Sequence, residues 1–289
     1  MVNSAVIFRK TRQVRGLKRN SPWLYVVAAT TVVVSFFPIV WLLFTSLKPA
    51  ADIYAWPPVY IPNPFTLKNY IWVITETPEL LRYILNSFIV ASATTLCILG
   101  FGGLAAYSLT RLQYTGRHVT MLGMLAVSMF PPIALLPAMF LTFMKLRLLN
   151  RYPSLIIAHT GLYMPMAIWI LSNYFKTIPM EIEDAARVDG CSVLRLFWNV
   201  ILPLSIPGLI ATGLIVFIFS WNEFPLSLVL LTKNTMRTAP VGISLYPGEF
   251  AFPWETISTA TFLAITPVLL ITAIFQHHII GGLTAGSNK

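Results

Sequence analysis

The sequence predicts an all-α integral membrane protein with six transmembrane helices, and three observations carry that prediction. Hydrophobic residues fill 56% of its 289 positions and charged residues only 10%, against about 25% charged in an ordinary soluble domain. The mean hydropathy is +0.73. Six runs meet the length of about 20 mainly apolar residues that a spanning helix needs: 23–46, 83–110, 119–144, 154–175, 206–231 and 258–280. These runs are apolar on every face, whereas barrel strands alternate over about ten residues, so a transmembrane barrel is excluded.

The elements follow in chain order. Residues 1–22 carry Arg9, Lys10, Arg12, Arg15, Lys18 and Arg19 without acidic neighbours, and the positive-inside rule places them in the cytoplasm. The first span exceeds a signal-peptide core of roughly 7–15 residues, contains Pro38 and Trp41 and lacks a small-residue cleavage site, so it stays as an anchor. An excursion over 47–82 follows, in which Pro57, Pro58, Pro62 and Pro64 stiffen the backbone and Trp56, Tyr60, Phe65, Tyr70 and Trp72 supply interfacial rings. The second span holds Gly100, Gly102, Gly103, Ala105 and Ala106, a pattern for close helix packing. Consecutive prolines in Met129-Phe-Pro-Pro132 predict a bend in the third span; a hinge and a fixed kink both remain open. In the fourth span, His159 beside Thr160 and Tyr163 reads as a hydrogen-bonded histidine more readily than as a proton relay.

The formal net charge of +10 is explained chiefly by topology rather than by a nucleic-acid partner. Arg111 and Arg117 fall inside on this threading. Lys145, Arg147 and Arg151 fall in a short outer loop and oppose the rule, but the N-terminal cluster is larger and flanks the first helix to insert. Six spans return the C-terminal tail, 281–289, to the cytoplasm. Cys97 in a span and Cys191 in a cytoplasmic loop do not pair, and no disulfide or metal framework is implied.

The loop 176–205 is the most informative segment, charged and patterned where its surroundings are lipid-like. Met180 to Val188 contains good helix formers with carboxylates in the first turn, where the helix dipole favours them. Gly190 supplies a left-handed stop, and Ser192 is a natural N-cap for a second short helix to about Asn199, with Val193, Leu196 and Phe197 on one face. Pro203 and Pro207 mark the return to the membrane. Paired small alanines beside carboxylates suit a surface that lies in a partner's groove, and a lone solvated cytoplasmic helix is the competing reading of the same residues.

Asp184-Ala185-Ala186, then Gly190 after three residues, then Val200-Ile-Leu-Pro203 after nine more, resembles the EAA loop of bacterial ABC importer permeases. Leu109-Thr-Arg-Leu112 with Gly116-Arg117, Met129-Phe-Pro-Pro132, Phe219-Ser-Trp-Asn-Glu-Phe224 and Gly282-Leu-Thr-Ala-Gly286 extend the resemblance, in order, to the carbohydrate permeases of the maltose and trehalose type. The resemblance implies a type I ABC importer permease fold. It further implies that Glu183, Asp184, Ala185, Ala186, Asp189 and Gly190 couple to an ATP-binding subunit. Two positions depart from the family pattern: Asp184 stands for its glutamate and Cys191 for its alanine, so Asp184 is expected to reach a basic partner less well than Glu183 does.

Polar groups inside a membrane turn towards protein or water. Trp221, Asn222, Glu223 and Phe224 are therefore candidates for the substrate pathway, since aromatic faces beside hydrogen-bonding groups suit a sugar ring. A packing cluster around the kink at Pro225 is the competing reading. In the second excursion, 232–257, Tyr246, Pro247, Gly248, Glu249 and Phe250 are the candidate for docking a binding protein, on a turn that projects Glu249 and both rings outward.

There is no Walker A pattern and no Gly-Lys dipeptide, so ATP and Mg are expected on a partner ATPase and no cofactor in this chain. The resemblance implies a homologous second permease, an ATPase dimer, an extracytoplasmic sugar-binding protein and a carbohydrate substrate, in the bacterial cytoplasmic membrane with its lipid. It leaves open a same-fold permease for polyamines or phosphate esters, and a non-transporting scaffold. An intramembrane enzyme or ion-coupled carrier would need clustered ionisable residues in the spans, where Glu223 stands almost alone.

Overall fold

The computed structural model describes residues 22–246 and 252–284, with side chains up to residue 276. Within them the chain is helical, and four helices are long and apolar enough to cross a membrane: α1 (Pro22–Ser46), α3 (Glu79–Arg111), α6 (Tyr152–Phe175) and α12 (Trp254–Thr284). Two bent pairs raise the number to as many as six if each is counted as one span: α4 (Arg117–Ser128) with α5 (Pro132–Lys145), and α8 (Val193–Leu204) with α9 (Ile206–Asn222). Shorter helices complete the chain: α2 (Lys68–Glu76) precedes α3, α7 (Met180–Val188) precedes α8, and α10 (Pro225–Leu230) and α11 (Ala239–Ser244) follow α9.

The core of the bundle is α3, α6, α9 and α12, with α9 packed between α3 and α12. By contrast, α1 leans chiefly on α12 and buries only Thr45 and Ser46 at its end. Two of the apolar clusters mark opposite ends of α6. One joins Tyr107, Phe175, Ile178, Leu196, Phe197 and Ile201; the other joins Val90, Phe143, Leu155, Leu226 and Leu230.

Proline decides where the spans break. The third span is not one curved helix over 119–144: α4 and α5 meet at 92°. Met129 and Phe130 close tight turns onto Ala126 and Val127, and Pro132 opens α5 at its first position, where its missing N–H costs nothing. The fifth span is likewise shorter than 206–231. It ends at Asn222, Glu223 is extended at φ −66° and ψ 129°, and Pro225 starts α10. A further 79° turn at Ser205 separates α8 from α9.

The second span carries a π-helical turn at Ile98–Gly102. A Cβ on Gly102 would sit 3.0 Å from Met164 Sδ, so here the glycine does admit a neighbouring helix, whereas Gly100 faces open space. At the end of the bundle opposite α7, Asn69 Nδ2 donates to the carbonyls of Ser46 and Lys48, and α2 packs on α12. Asn86 Nδ2 donates to the carbonyls of Thr235 and Arg237, which ties the second excursion onto α3.

Candidate functional site

At one end of the bundle the chain leaves α6, crosses residues 176–179 and forms α7. Pro179 precedes its first residue, and Glu181 and Glu183 occupy its first turn. Gly190 ends the turn at φ +82°, a conformation that costs a side chain and suits glycine. Its N–H bonds Arg187 O at 3.0 Å and Cys191 N–H bonds Ala186 O at 3.0 Å, satisfying carbonyls that the helix end leaves open. Ser192 Oγ accepts from Arg195 N–H at 3.4 Å as the N-cap of α8. Leu196 and Phe197 then anchor α8 in the cluster with Tyr107 and Phe175. Val193, expected on that same face, is exposed.

The six candidate coupling residues do not share a direction. Asp184, Ala185, Asp189 and Gly190 are exposed and Ala186 is half-buried against the cluster. Glu183 is turned inward: its side chain is 0% exposed, with Oε1 2.6 Å from Arg111 Nε and Oε2 accepting from Tyr107 O–H at 3.2 Å. The expectation that Glu183 reaches further than Asp184 towards a basic partner is therefore corrected, because its charge is neutralised inside the chain. Asp184 keeps the outward position and lies 3.6 Å from Arg187. Ile182 and Leu194 join that surface, as does Val188, which is 89% exposed beside Asp189.

The second candidate cluster lies in the break between α9 and α10. His159 Nδ1 lies 2.7 Å from Ser220 Oγ and its Nε2 lies 3.2 Å from Glu223 Oε2. Glu223 also accepts from the N–H groups of Leu226 at 2.6 Å and Ser227 at 3.0 Å, so it caps α10. Trp221 is buried and stacks on Phe217. Glu223 is thus engaged within the chain, while Trp221, though buried, borders the cleft that Asn222 lines. Asn222 alone of the four is exposed, Phe224 being half-buried; Asn222 lines an open cleft of about 210 Å³ with Trp221, Ala239, Pro240, Thr261 and Ile265.

In the second excursion Tyr246 does not project outward. It packs on Val73, Leu80 and Ala260, and burial pushes its hydroxyl above the usual tyrosine pKa. Pro247, Gly248, Glu249 and Phe250 lie outside the described residues. Among the described residues, no three His, Cys, Asp or Glu side chains converge as a metal site.

Sequence reasoning missed Arg111 and Tyr107 as partners of α7, Ser220 and Ser227 as partners of the polar break, and Val188 as a surface residue. No local pattern marks the first four, because each partner lies on another helix or across a break. Val188 was legible as an apolar residue next to a charged turn.

Residues 98–284 match the family described as the binding-protein-dependent transport system inner membrane component. The chain is 39% identical to the sulfoquinovosyl glycerol transport system permease protein SmoH of Agrobacterium fabrum, over 93% of this chain and 94% of that one. It is 34% identical to the trehalose/maltose transport system permease protein MalG of Thermococcus litoralis, over 92% of this chain and 96% of that one. Among solved structures, a chain of a bacterial ABC transporter that imports the acidic polysaccharide alginate superposes with a TM-score of 0.77 at 21% identity, covering 88% of this chain and 94% of that one. The fold is that of a type I ABC importer permease, and the chain belongs to the family of binding-protein-dependent transport system inner membrane components.

Proposed function

We propose that this chain forms half of the translocation path of an ABC importer for a di- or oligosaccharide, of the trehalose or maltose kind or a related glycoside. The exposed face of α7 carries this reading. Ile182, Ala185, Val188 and Gly190 present small and apolar groups beside the exposed carboxylates of Glu181, Asp184 and Asp189, on a helix that packs Ala186 and Glu183 against the spans, which suits insertion into a groove of an ATPase subunit. The names of the two relatives above support a glycoside as cargo. A binding protein, a homologous second permease and an ATPase dimer holding ATP and Mg complete the machine. α7 and both termini face the cytoplasm, the side to which the six N-terminal cations point by the positive-inside rule. Asn222, in its cleft, is the pathway residue offered to the sugar.

Reconstitution with the neighbouring permease, ATPase and binding protein tests this. Hydrolysis of ATP stimulated by a disaccharide, together with a disulfide cross-link from Val188→Cys to a cysteine in the ATPase groove, is the expected result. Hydrolysis indifferent to every sugar, but responsive to a polyamine or phosphate ester, would replace the cargo; no response and no cross-link would leave a scaffold.

A further inference from the structure

The contact between α3 and α7 goes beyond what docking requires. Arg111 occupies the last turn of α3, and its side chain is 6% exposed although it lies at the end of a span. One terminal nitrogen, Nη2, donates to Phe175 O at 2.8 Å and to Ile178 O at 2.6 Å. Those carbonyls sit at the end of α6 and in the linker beyond it, where helical donors have run out and the helix dipole is negative. Its Nε meets Glu183 of α7 at 2.6 Å. A single guanidinium therefore joins α3, the end of α6 and α7.

The acceptor side is equally committed. Glu183 takes Tyr107 O–H on its other oxygen, and Arg187, one turn along α7, comes within 3.8 Å of that oxygen. Tyr107 in turn packs its ring against Phe175 and Phe197, one ring from α6 and one from the segment after α7. Breaking one side of such a pair leaves a buried charge without a partner. Lysine does not replace arginine here, because a point charge lacks the planar fork that serves carbonyls and a carboxylate at once.

We propose that Arg111 and Glu183 form a clamp that fixes the pose of α7 relative to α3 and α6, so that displacement of α7 by the ATPase is delivered to those two spans as one body. Arg111 is a positioning residue; it touches neither cargo nor nucleotide. Without the clamp, α7 keeps only the linker 176–179, the packing of Ala186 and the anchor of α8 through Leu196 and Phe197, and part of its movement is taken up there rather than passed to α3. The proposal rests on the reading of α7 as the ATPase contact.

The test uses the complete complex in liposomes. Glu183→Gln, Arg111→Gln and Arg111→Lys are compared with wild type for sugar transported per ATP hydrolysed. Spin labels at Val188→Cys and Gln113→Cys, with Cys97 and Cys191 replaced by serine, report the distance from α7 to the loop after α3. The clamp predicts a broadened distance distribution and a fall of about tenfold in sugar per ATP for Glu183→Gln and Arg111→Gln, with little rescue by Arg111→Lys. If a variant fails to assemble, Tyr107→Phe, which keeps both charges and weakens one bond to Glu183, must still broaden the distribution. Unchanged distances and an unchanged ratio in assembled variants, with Val188→Cys in the otherwise wild-type chain cross-linking to the ATPase, would overturn the clamp alone. A Val188→Cys chain that does not cross-link, together with a wild type that does not couple, would instead overturn the docking role of α7.

Discussion

His159 Nε2 lies 3.2 Å from Glu223 Oε2, across the point where α9 stops and α10 begins. The carboxylate at the same time receives two N–H groups at the start of α10, so one side chain both caps a helix and holds α6 against the break. Replacing Glu223 by Ala strands both N–H groups and the histidine, and is expected to lower stability by about 1–2 kcal/mol. His159→Gln, which leaves the cap intact, should cost less. Thermal unfolding of the purified complex ranks the two, and equal losses would contradict the capping role.

Asn86 is buried and uses its amide fully: two donations to Thr235 and Arg237 carbonyls, and acceptance from Tyr152 O–H at 2.7 Å. Asn86→Leu preserves approximate volume but orphans all three partners. A loss of about 2 kcal/mol or more is expected, with faster proteolysis confined to the segment around Thr235. An unaffected digestion pattern would show that the excursion is held elsewhere.

Gly190 is required by backbone conformation and not by space. A Cβ at Gly190 meets nothing within 4 Å, yet its φ of +82° makes Gly190→Ala cost about 1–2 kcal/mol locally. Gly190→Pro cannot adopt that φ at all. The alanine variant should retain partial sugar-stimulated ATP hydrolysis and the proline variant none; full activity in the proline variant would remove the turn from the coupling path.

Gly242 demands space instead. A Cβ there would fall 2.0 Å from Tyr83 Cδ2, so Gly242→Ala must displace the ring that bonds Asn234, at an expected cost of about 1–3 kcal/mol. Gly123, with nothing within 4 Å and an ordinary helical backbone, is the control: Gly123→Ala should be neutral or stabilising by up to about 1 kcal/mol. The melting temperature should fall for Gly242→Ala and stay level or rise for Gly123→Ala.

Lys48 is buried, 4.6 Å over the Trp41 ring, and burial lowers its pKa, an effect that Asp52 partly offsets. Because the folded state disfavours the ammonium, the resulting cost is present at neutral pH and disappears as pH rises through the lowered folded value towards the ordinary lysine value of 10.5. The stability of wild type relative to Lys48→Met is therefore expected to improve as pH rises towards 10.5. Parallel melting curves for both proteins over that range would show that the shift has no thermodynamic weight.

The class of protein, the regions of the spans and the helix at Met180–Val188 with its glycine stop were legible because hydropathy and turn chemistry are local. A run of apolar residues is a span wherever it packs, and a glycine after a helix can turn left-handed without help from elsewhere. The bends at Pro132 and Pro225 were legible as to place but not degree, since proline removes a donor and the neighbouring helices set the angle. What only the tertiary structure decided is where the polar side chains point. Glu183 and Asp184 are adjacent carboxylates on one short helix, and nothing local separates them. Glu183 faces inward because Arg111 and Tyr107 arrive beneath it from more than 70 positions away, while Asp184 meets only Arg187 on its own helix. Buried charge is stable only where its partner already lies, and that partner's position belongs to the packing of α3 against α6.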